Sequence, residues 1–193
     1  MALDFFCSAY KGILVIAPEP TSAENAYRFM KSAFLRRVRM LRPADATGPT
    51  LGALVDQLEL MDHSEGGIPA PLDIYQALLS GYPAYASLVE QEIRTFRPAI
   101  VVNQARSRAD IQLGEHMRLA GSRRLGFPID YLGHIDSDDA VWQAVRKRRP
   151  LLTAYPDSKA ASQIEKLARR LLSDEEQDGE VYLKPLEQQN FYE

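Results

Sequence analysis

The strongest constraint on the fold is an apolar run that leads directly into a proline-rich turn. Residues 13–17 are Ile-Leu-Val-Ile-Ala, and Pro-Glu-Pro-Thr-Ser follows them. An unbroken apolar run of this length is typical of a strand covered on both faces in a parallel sheet. Pro18 and Pro20 end the run, because proline cannot donate a hydrogen bond to a sheet ladder. The segment therefore predicts a buried strand.

A helix is predicted immediately after this strand. Thr21 or Ser22 offers a side-chain oxygen that can cap it, and it is expected to run from about Ala23 into the Arg36–Arg37 region. In open α/β sheets, ligands bind at such strand-to-helix junctions. A connection that binds nothing fits this segment equally well.

Two further predicted strands alternate with helices along the chain. The strands are expected at 99–102, just before Asn103, and at 129–132. Helices are expected at 85–96, at 110–119 and from about residue 140 to Pro150. A last helix is expected to start at Asp157 or Ser158 after Pro156, with apolar residues at helical spacing over 164–172. Strands that alternate with helices favour a parallel sheet with helices on both faces. The predicted fold class is therefore α/β, with three layers and a mostly parallel sheet flanked by helices.

Length and composition predict one domain. The chain has 193 residues, 46% of them hydrophobic, which is enough for a single globular core over 1–172. The segment 43–82, rich in Gly, Pro and acidic residues, is interpreted as a helical insertion with short helices near 51–60 and 72–79. Such an insertion is often a lid or a partner-binding element, and a passive elaboration fits it equally well. The acidic segment 173–193 is predicted to be a flexible tail.

Composition excludes several classes of protein. No apolar run approaches the roughly 20 residues that span a bilayer, and the N-terminus lacks the features of a secretory signal. No segment is typical of a membrane-targeting amphipathic helix, so a cytoplasmic location is expected. Cys7 is the only cysteine, which excludes an intrachain disulfide and a cysteine-cluster metal site. The histidines are scattered, and no metal site is predicted.

Two basic clusters each close a predicted helix. They are Arg36, Arg37, Arg39 and Arg42, and then Arg146, Lys147, Arg148 and Arg149. The formal net charge of −3 argues against bulk electrostatic binding to nucleic acid. Cations are also favoured at helix C-termini by the helix dipole, so solvated helix ends are the simplest interpretation. The first cluster remains a candidate surface for a partner or a nucleic acid.

Four short motifs occur in order along the chain. They are Pro18-Glu-Pro-Thr-Ser-x-x-x-Ala-Tyr27; Val101-Val-Asn103; Tyr131-Leu-Gly133 with Ile135, Asp138 and Val141; and Arg149-Pro150 with Pro156 and Ser158. In this order and spacing they resemble the MinD/ParA class of P-loop ATPases, and most closely its MinD-like and FlhG-like members. The resemblance covers about residues 3–172.

The resemblance implies an adenine-binding role for some of these residues. By analogy, Asn103 would pair with the adenine edge of ATP, and Asp136, Asp138 and Pro18 would belong to the same nucleotide site. Asp136 stands where the family usually has proline. From the residues alone, capping of the helices that follow them accounts for Asn103 and Asp138 as well.

The resemblance begins after the family's second switch, at residues 3–6. No Gly-x-x-x-x-Gly-Lys-Ser/Thr loop occurs in the sequence, although such a loop cradles the phosphates and holds the metal-bound nucleotide. The resemblance therefore implies an incomplete P-loop NTPase-like fold, the C-terminal portion of an ATPase without its Walker A and switch segments. ATP and Mg are the cofactors of the full-length family, and this chain alone is not expected to hydrolyse ATP.

Three functional hypotheses remain open. In the first, the chain is part of an ATPase that positions division machinery, flagella or other cargo, and its expected partners are a second copy and a protein of the positioning machinery. In the second, the chain is a degenerate, non-catalytic interaction module that uses Arg36 to Arg42 or the 43–82 insertion. The third is a nucleoid-associated or DNA-associated module that uses the basic clusters.

The resemblance also raises a question about strand pairing. In the family, a further strand separates those that correspond to 13–16 and 99–102. These two strands must therefore pair directly with each other, bind another copy, or leave an apolar edge exposed.

Overall fold

The computed structural model describes residues 2–42, 49–61 and 70–177. In this part of the chain, β1 (Ile13–Ile16), β2 (Ala99–Ala105) and β3 (Asp130–Asp136) form one parallel sheet in the order β1-β2-β3. Helices flank the sheet. The prediction of an α/β fold with a parallel sheet flanked by helices is therefore confirmed.

Helices precede the first strand, connect the strands and follow the last one. In the described residues they are α1 (Ala2–Ser8), α2 (Pro20–Val38), α3 (Leu51–Met61), α4 (Pro71–Leu79), α5 (Pro83–Thr95), α6 (Arg108–Leu125), α7 (Asp139–Arg146), α8 (Leu151–Ala154) and α9 (Lys159–Gln177). The short helices expected within the insertion are present as α3 and α4. The rest of the insertion, at 43–48 and 62–69, and the end of the expected tail, at 178–193, lie outside the described residues.

The strands β1 and β2 pair directly. Ile13 lies opposite Ala99, and Ile16 lies opposite Val102. Of the three arrangements that the sequence left open, direct pairing is the one that the structure has. Among the described residues, β1 is an edge strand of the sheet.

The prediction that β1 is buried on both faces is wrong. Successive side chains of a strand point to opposite faces, and Ile16 is buried whereas Val15 is 62% exposed. On the face of Val15, α9 packs Leu167 and Leu171 against buried side chains of β2 and β3. The apolar run is therefore covered on one face only, within the part of the chain that the structure describes.

The helix α2 begins earlier than predicted. Pro20 occupies its first turn, where the missing N–H of proline costs nothing. Glu19 is the N-cap residue and makes no side-chain capping bond. Thr21 and Ser22 therefore do not cap the helix. Instead, the Ser22 hydroxyl accepts the backbone N–H of Ala17 at 3.2 Å and closes the turn after β1.

Three phenylalanine rings anchor the main core. Phe34 of α2 stacks on Phe127 with ring centroids 5.4 Å apart, and Phe96 meets Phe127 edge to face at 4.9 Å. Phe96 precedes β2 and Phe127 precedes β3. Each such aromatic pair contributes about 0.5–1.5 kcal/mol beyond its buried area. The rings therefore hold α2 against the chain segments that lead into β2 and β3.

A buried ion pair connects α2 to α5. The carboxylate of Glu92, which is only 7% exposed, accepts a hydrogen bond from the Arg37 guanidinium. The same guanidinium lies over the Phe96 ring, 5.6 Å from its centroid, and reaches the Cys7 carbonyl at 3.5 Å. Arg37 is therefore part of the packing between α1, α2 and α5.

We expect Glu92→Gln to lower the free energy of unfolding by about 2 kcal/mol, because it leaves the Arg37 guanidinium without its counter-charge in a partly buried position. Glu90→Gln is the matched control, since Glu90 pairs with Arg94 one turn along the same helix at 2.6 Å. A pair of that kind contributes less than about 0.5 kcal/mol. Urea denaturation followed by circular dichroism measures both losses, and equal losses would contradict the importance of the interhelical pair.

Candidate functional site

The carboxyl ends of β2 and β3 open onto a cavity of about 660 Å³. Its lining includes Asn103, Gln104, Asp136, Asp138, Asp139 and Trp142. Ligands of open α/β sheets bind at this end of the strands, and the volume is within the range of small-molecule sites. Three of the site residues predicted from the sequence therefore lie together. Pro18, the fourth, is not among the residues that line this cavity.

A bulge ends β2 at the cavity wall. Gln104 has a φ of 60°, in the left-handed region that residues other than glycine rarely adopt. The register between β2 and β3 shifts between Asn103 and Ala105. Bulges redirect side chains at strand ends, and backbone strain of this kind concentrates at functional sites. The local geometry therefore makes the strand end at Asn103 and Gln104 a candidate binding site.

Asn103 does not cap the helix that follows it. The cap of α6 is Ser107, whose hydroxyl accepts the Asp110 N–H at 3.2 Å, while the Asp110 carboxylate accepts the Ser107 N–H at 3.0 Å. The Asn103 side chain is half-buried and forms no hydrogen bond within the described part of the chain. The capping interpretation of Asn103 is therefore wrong, and its amide can bind a ligand.

Asp138 is a cap for two helices. Its Oδ1 accepts the Ala140 N–H of α7 at 2.9 Å, and its Oδ2 accepts the Ala160 N–H of α9 at 3.0 Å. These backbone hydrogen bonds, from Ala160 first and Ala140 second, hold the pKa of Asp138 below its ordinary value. The capping interpretation is confirmed for this residue. Its carboxylate positions α7 beside the cavity.

Asp136 connects the end of β3 to α9. Its carboxylate forms an ion pair with Lys159, and this hydrogen bond is the main reason that the pKa of Asp136 is lowered. Its backbone N–H donates to the Gln163 side-chain oxygen at 2.8 Å. Proline has no N–H and could not make that bond. Asp136 stands where the family usually has proline, and its backbone N–H therefore makes a contact with Gln163 that proline could not make.

The cavity is acidic and has one aromatic side chain. Asp136, Asp138 and Asp139 are among its lining residues, and no lysine or arginine is. Trp142 of α7 contributes an exposed indole ring. Carboxylates repel phosphate, whereas an indole ring can stack on a flat heterocycle. The lining therefore suits a neutral, planar group better than an anion.

Sequence analysis missed Gln104 and Trp142 as lining residues. Nothing in the sequence indicates the left-handed backbone of Gln104, because glutamine has no preference for it. Trp142 follows Val141, the last residue of the third motif, and is the only tryptophan in the chain. Its proximity to that motif was the one signal that pointed to the cavity.

The first basic cluster is largely paired within the fold. Arg36 contacts Asp4 at 2.9 Å, and Arg37 contacts Glu92. Arg39 contacts Asp56 of α3 at 2.9 Å. Most of its charge is therefore neutralised by the chain's own carboxylates, and the cluster does not support a nucleic-acid surface.

No protein-family model matches the chain, and no curated protein matches it significantly. The resemblance to MinD/ParA ATPases therefore depends on the sequence motifs. In the residues that the structure describes, no helix combines the length and apolar content needed to cross a bilayer. The same residues contain no group of three His, Cys, Asp or Glu side chains arranged to hold a metal ion.

We expect Asp138→Ala to lower the free energy of unfolding at neutral pH by about 2 kcal/mol, because it removes two helix caps that contribute about 0.5–2 kcal/mol each. Asp139→Ala is the control, since Asp139 is an exposed acid in the first turn of the same helix. Its loss is expected to cost less than about 1 kcal/mol. Chemical denaturation of the three proteins gives the comparison, and a larger effect at Asp139 would contradict the double cap.

The effect of Asp138→Ala should also depend on pH. The pKa of Asp138 in the folded state lies below the ordinary value of 3.8. Its stabilising contribution is therefore complete above that value and is lost as the pH falls through the lower, folded-state pKa. Denaturation curves of the wild type and the variant should converge in acid. A difference that persisted at the lowest pH would mean that the ionised carboxylate is not what caps the helices.

Proposed function

We propose that this chain binds the base of an adenine nucleotide at the carboxyl edge of its sheet, as part of a MinD/ParA-like ATPase that acts in ATP-dependent spatial positioning. The observation that carries the proposal is the Asn103 amide, which lines the cavity without a partner in the described residues. An amide presents both a donor and an acceptor, which match the neighbouring acceptor and donor on the adenine edge. The motif that contains Asn103 supports the same role.

The rest of the lining supports recognition of a base rather than a phosphate. Trp142 offers a ring on which a base can stack, while three carboxylates disfavour an anion. The glycine-rich lysine loop that would bind the phosphates and magnesium does not occur in the sequence. Without several charged hydrogen bonds of about 1.5–3 kcal/mol each, a micromolar affinity becomes millimolar or weaker. We therefore expect no ATP hydrolysis by this chain alone.

The proposal also includes the partners that the resemblance implies. These are a second copy of the chain and a protein of the positioning machinery. Asn103, Asp136 and Asp138 would lie on the base side of the shared nucleotide site, with Asp138 acting through its two helix caps. Pro18 closes the neighbouring strand at the same edge of the sheet, outside the cavity lining.

We expect adenosine to bind with roughly millimolar affinity and Mg-ATP to bind no more tightly, because only the base is recognised and the acidic lining disfavours the phosphates. Asn103→Ala should abolish saturable binding of both ligands. Gln91→Ala is the control, since Gln91 is an exposed amide on α5 outside the cavity lining. Titrations followed by NMR chemical shifts of the folded chain are suited to affinities of this size.

Two results would contradict the proposal in different ways. A micromolar affinity for Mg-ATP with no binding of adenosine would show that phosphate contacts dominate. An unchanged adenosine affinity in Asn103→Ala would remove this side chain from the site.

A further inference from the structure

One edge of the sheet is open at β1. Among the described residues, β1 has a neighbouring strand on one side only, which is β2. The Gly12 carbonyl accepts a backbone N–H of β2 at 2.8 Å, so it points towards that strand. Backbone groups of alternate residues point to the same neighbour, and those of Leu14 and Ile16 therefore also face β2. The N–H and C=O groups of Ile13 and Val15 point to the open edge.

The side chains at this edge are apolar and exposed. Ile13 is 37% exposed and Val15 is 62% exposed. Their partners in register, Ala99 and Val101, are buried beneath α9 on the same face of the sheet. Edge strands present unpaired backbone groups to any strand that reaches them, and native proteins usually shorten, charge or cover such edges. An apolar edge without a charge of its own therefore calls for a segment that pairs with it.

The helix α9 runs against the strands and ends at the amino edge of the sheet. Its first turn lies at the carboxyl edge, where Lys159 pairs with Asp136. Further along, the Arg170 guanidinium donates to the Leu132 carbonyl at 3.0 Å, near the start of β3. The remaining residues of α9, up to Gln177, add about 10 Å beyond that contact. The chain that leaves α9 therefore starts at the amino edge, and a strand formed there runs parallel to β1.

The hand of the connections directs the chain from α9 back towards β1. A helix that connects two parallel strands forms a right-handed crossover in about 98% of cases. The helices α2 and α6 lie on the face of Ile16, and the chain there advances from β1 to β3. The helix α9 lies on the opposite face. On that face the same hand requires a step in the opposite direction, and the open position on that side is beyond β1.

The segment that follows α9 has the composition of a short strand. Residues 181–185 are Val-Tyr-Leu-Lys-Pro, and Gly179 precedes them. Valine and tyrosine favour strands, and glycine is typical of the position just after a helix. Proline is tolerated in an edge strand, where its missing N–H can face solvent. We name residues 181–185 the tail segment.

The chain between α9 and the tail segment is long enough to reach this edge. A strand beyond β1 lies about 10 Å along the sheet from β2, and α9 lies one layer of about 10 Å above β2 and β3. The direct distance is therefore about 14 Å. The five residues from Gln177 to Tyr182 extend to about 17 Å.

We propose that the tail segment pairs with the open edge of β1 as a parallel strand. Its backbone binds the N–H and C=O groups of Ile13 and Val15, so β1 becomes an inner strand of the sheet. A second copy of the chain could also pair at this edge. The tail segment is favoured because it is tethered to α9, which gives it an effective concentration of roughly millimolar order.

Hydrogen exchange of the full chain, followed by NMR, tests the proposal on single amides. The Leu14 and Ile16 amides face β2 and serve as internal references for an intact sheet. The Val15 amide faces the open edge, where β2 cannot protect it. We expect this amide to exchange at least about 100-fold more slowly than in an unstructured peptide of the same sequence, because it donates to the tail segment.

Two proline variants test which segment protects the Val15 amide. Alternate residues of a strand direct their N–H groups to the same neighbour, so one of Tyr182→Pro and Leu183→Pro removes a donor to β1. That variant is expected to accelerate Val15 exchange about tenfold or more, and the other variant is expected to have a smaller effect. Gln189→Pro is the matched control, since it lies in the same part of the chain beyond the tail segment. It is expected to leave the Val15 rate unchanged.

Three outcomes would overturn the proposal. In the first, the Val15 amide exchanges as fast as in an unstructured peptide while Leu14 and Ile16 remain protected. In the second, Val15 is protected and neither proline variant changes its rate, so another part of the chain covers the edge. In the third, protection of Val15 rises with protein concentration, which assigns the edge to a second copy of the chain.

Discussion

The two helix caps made by the Asp138 carboxylate are the interaction on which the geometry of the cavity depends. This carboxylate joins the first turns of α7 and α9 by accepting one backbone N–H from each. The helix α7 buries only Ala144, so packing contributes little to its position. A short helix without packing is marginal in water. The cap therefore decides where Trp142 and the neighbouring cations lie, although Asp138 itself has little remaining capacity to bind a ligand.

The two edges of the sheet are held differently. At the amino edge, Asp130 of β3 contacts Arg97, which precedes β2, at 2.7 Å, and Lys11, which precedes β1, at 3.1 Å. This carboxylate thus links the starts of all the described strands. At the carboxyl edge, by contrast, Asn103 has no partner in the described residues and Gln104 has a strained backbone. The carboxyl ends of the strands therefore keep an amide that a ligand can use.

The sequence predicted the order and type of the elements better than their surroundings. Alternating strands and helices define a parallel sheet, but an apolar run cannot reveal whether anything covers its second face. Val15 lies on that face of β1 and is exposed, so the prediction of burial failed there. The spacing of Ser107 and Asp110 already resembles a capping box, so Asn103 could have been excluded as the cap. Nothing local indicates that the ring of Tyr131 lies where a Cβ on Gly114 would be, because this contact arises only when α6 packs on β3.

Trp142 connects the cavity to the basic end of α7. Its indole ring lines the cavity, and Arg146 lies over the same ring, 4.6 Å from its centroid. A base that stacks on this ring either takes the face that Arg146 leaves open or displaces the guanidinium. Because the caps of Asp138 position α7, losing them would change the place of the ring as well as the stability of the helix. Binding of the base and ordering of α7 are therefore coupled, and such coupling is reciprocal.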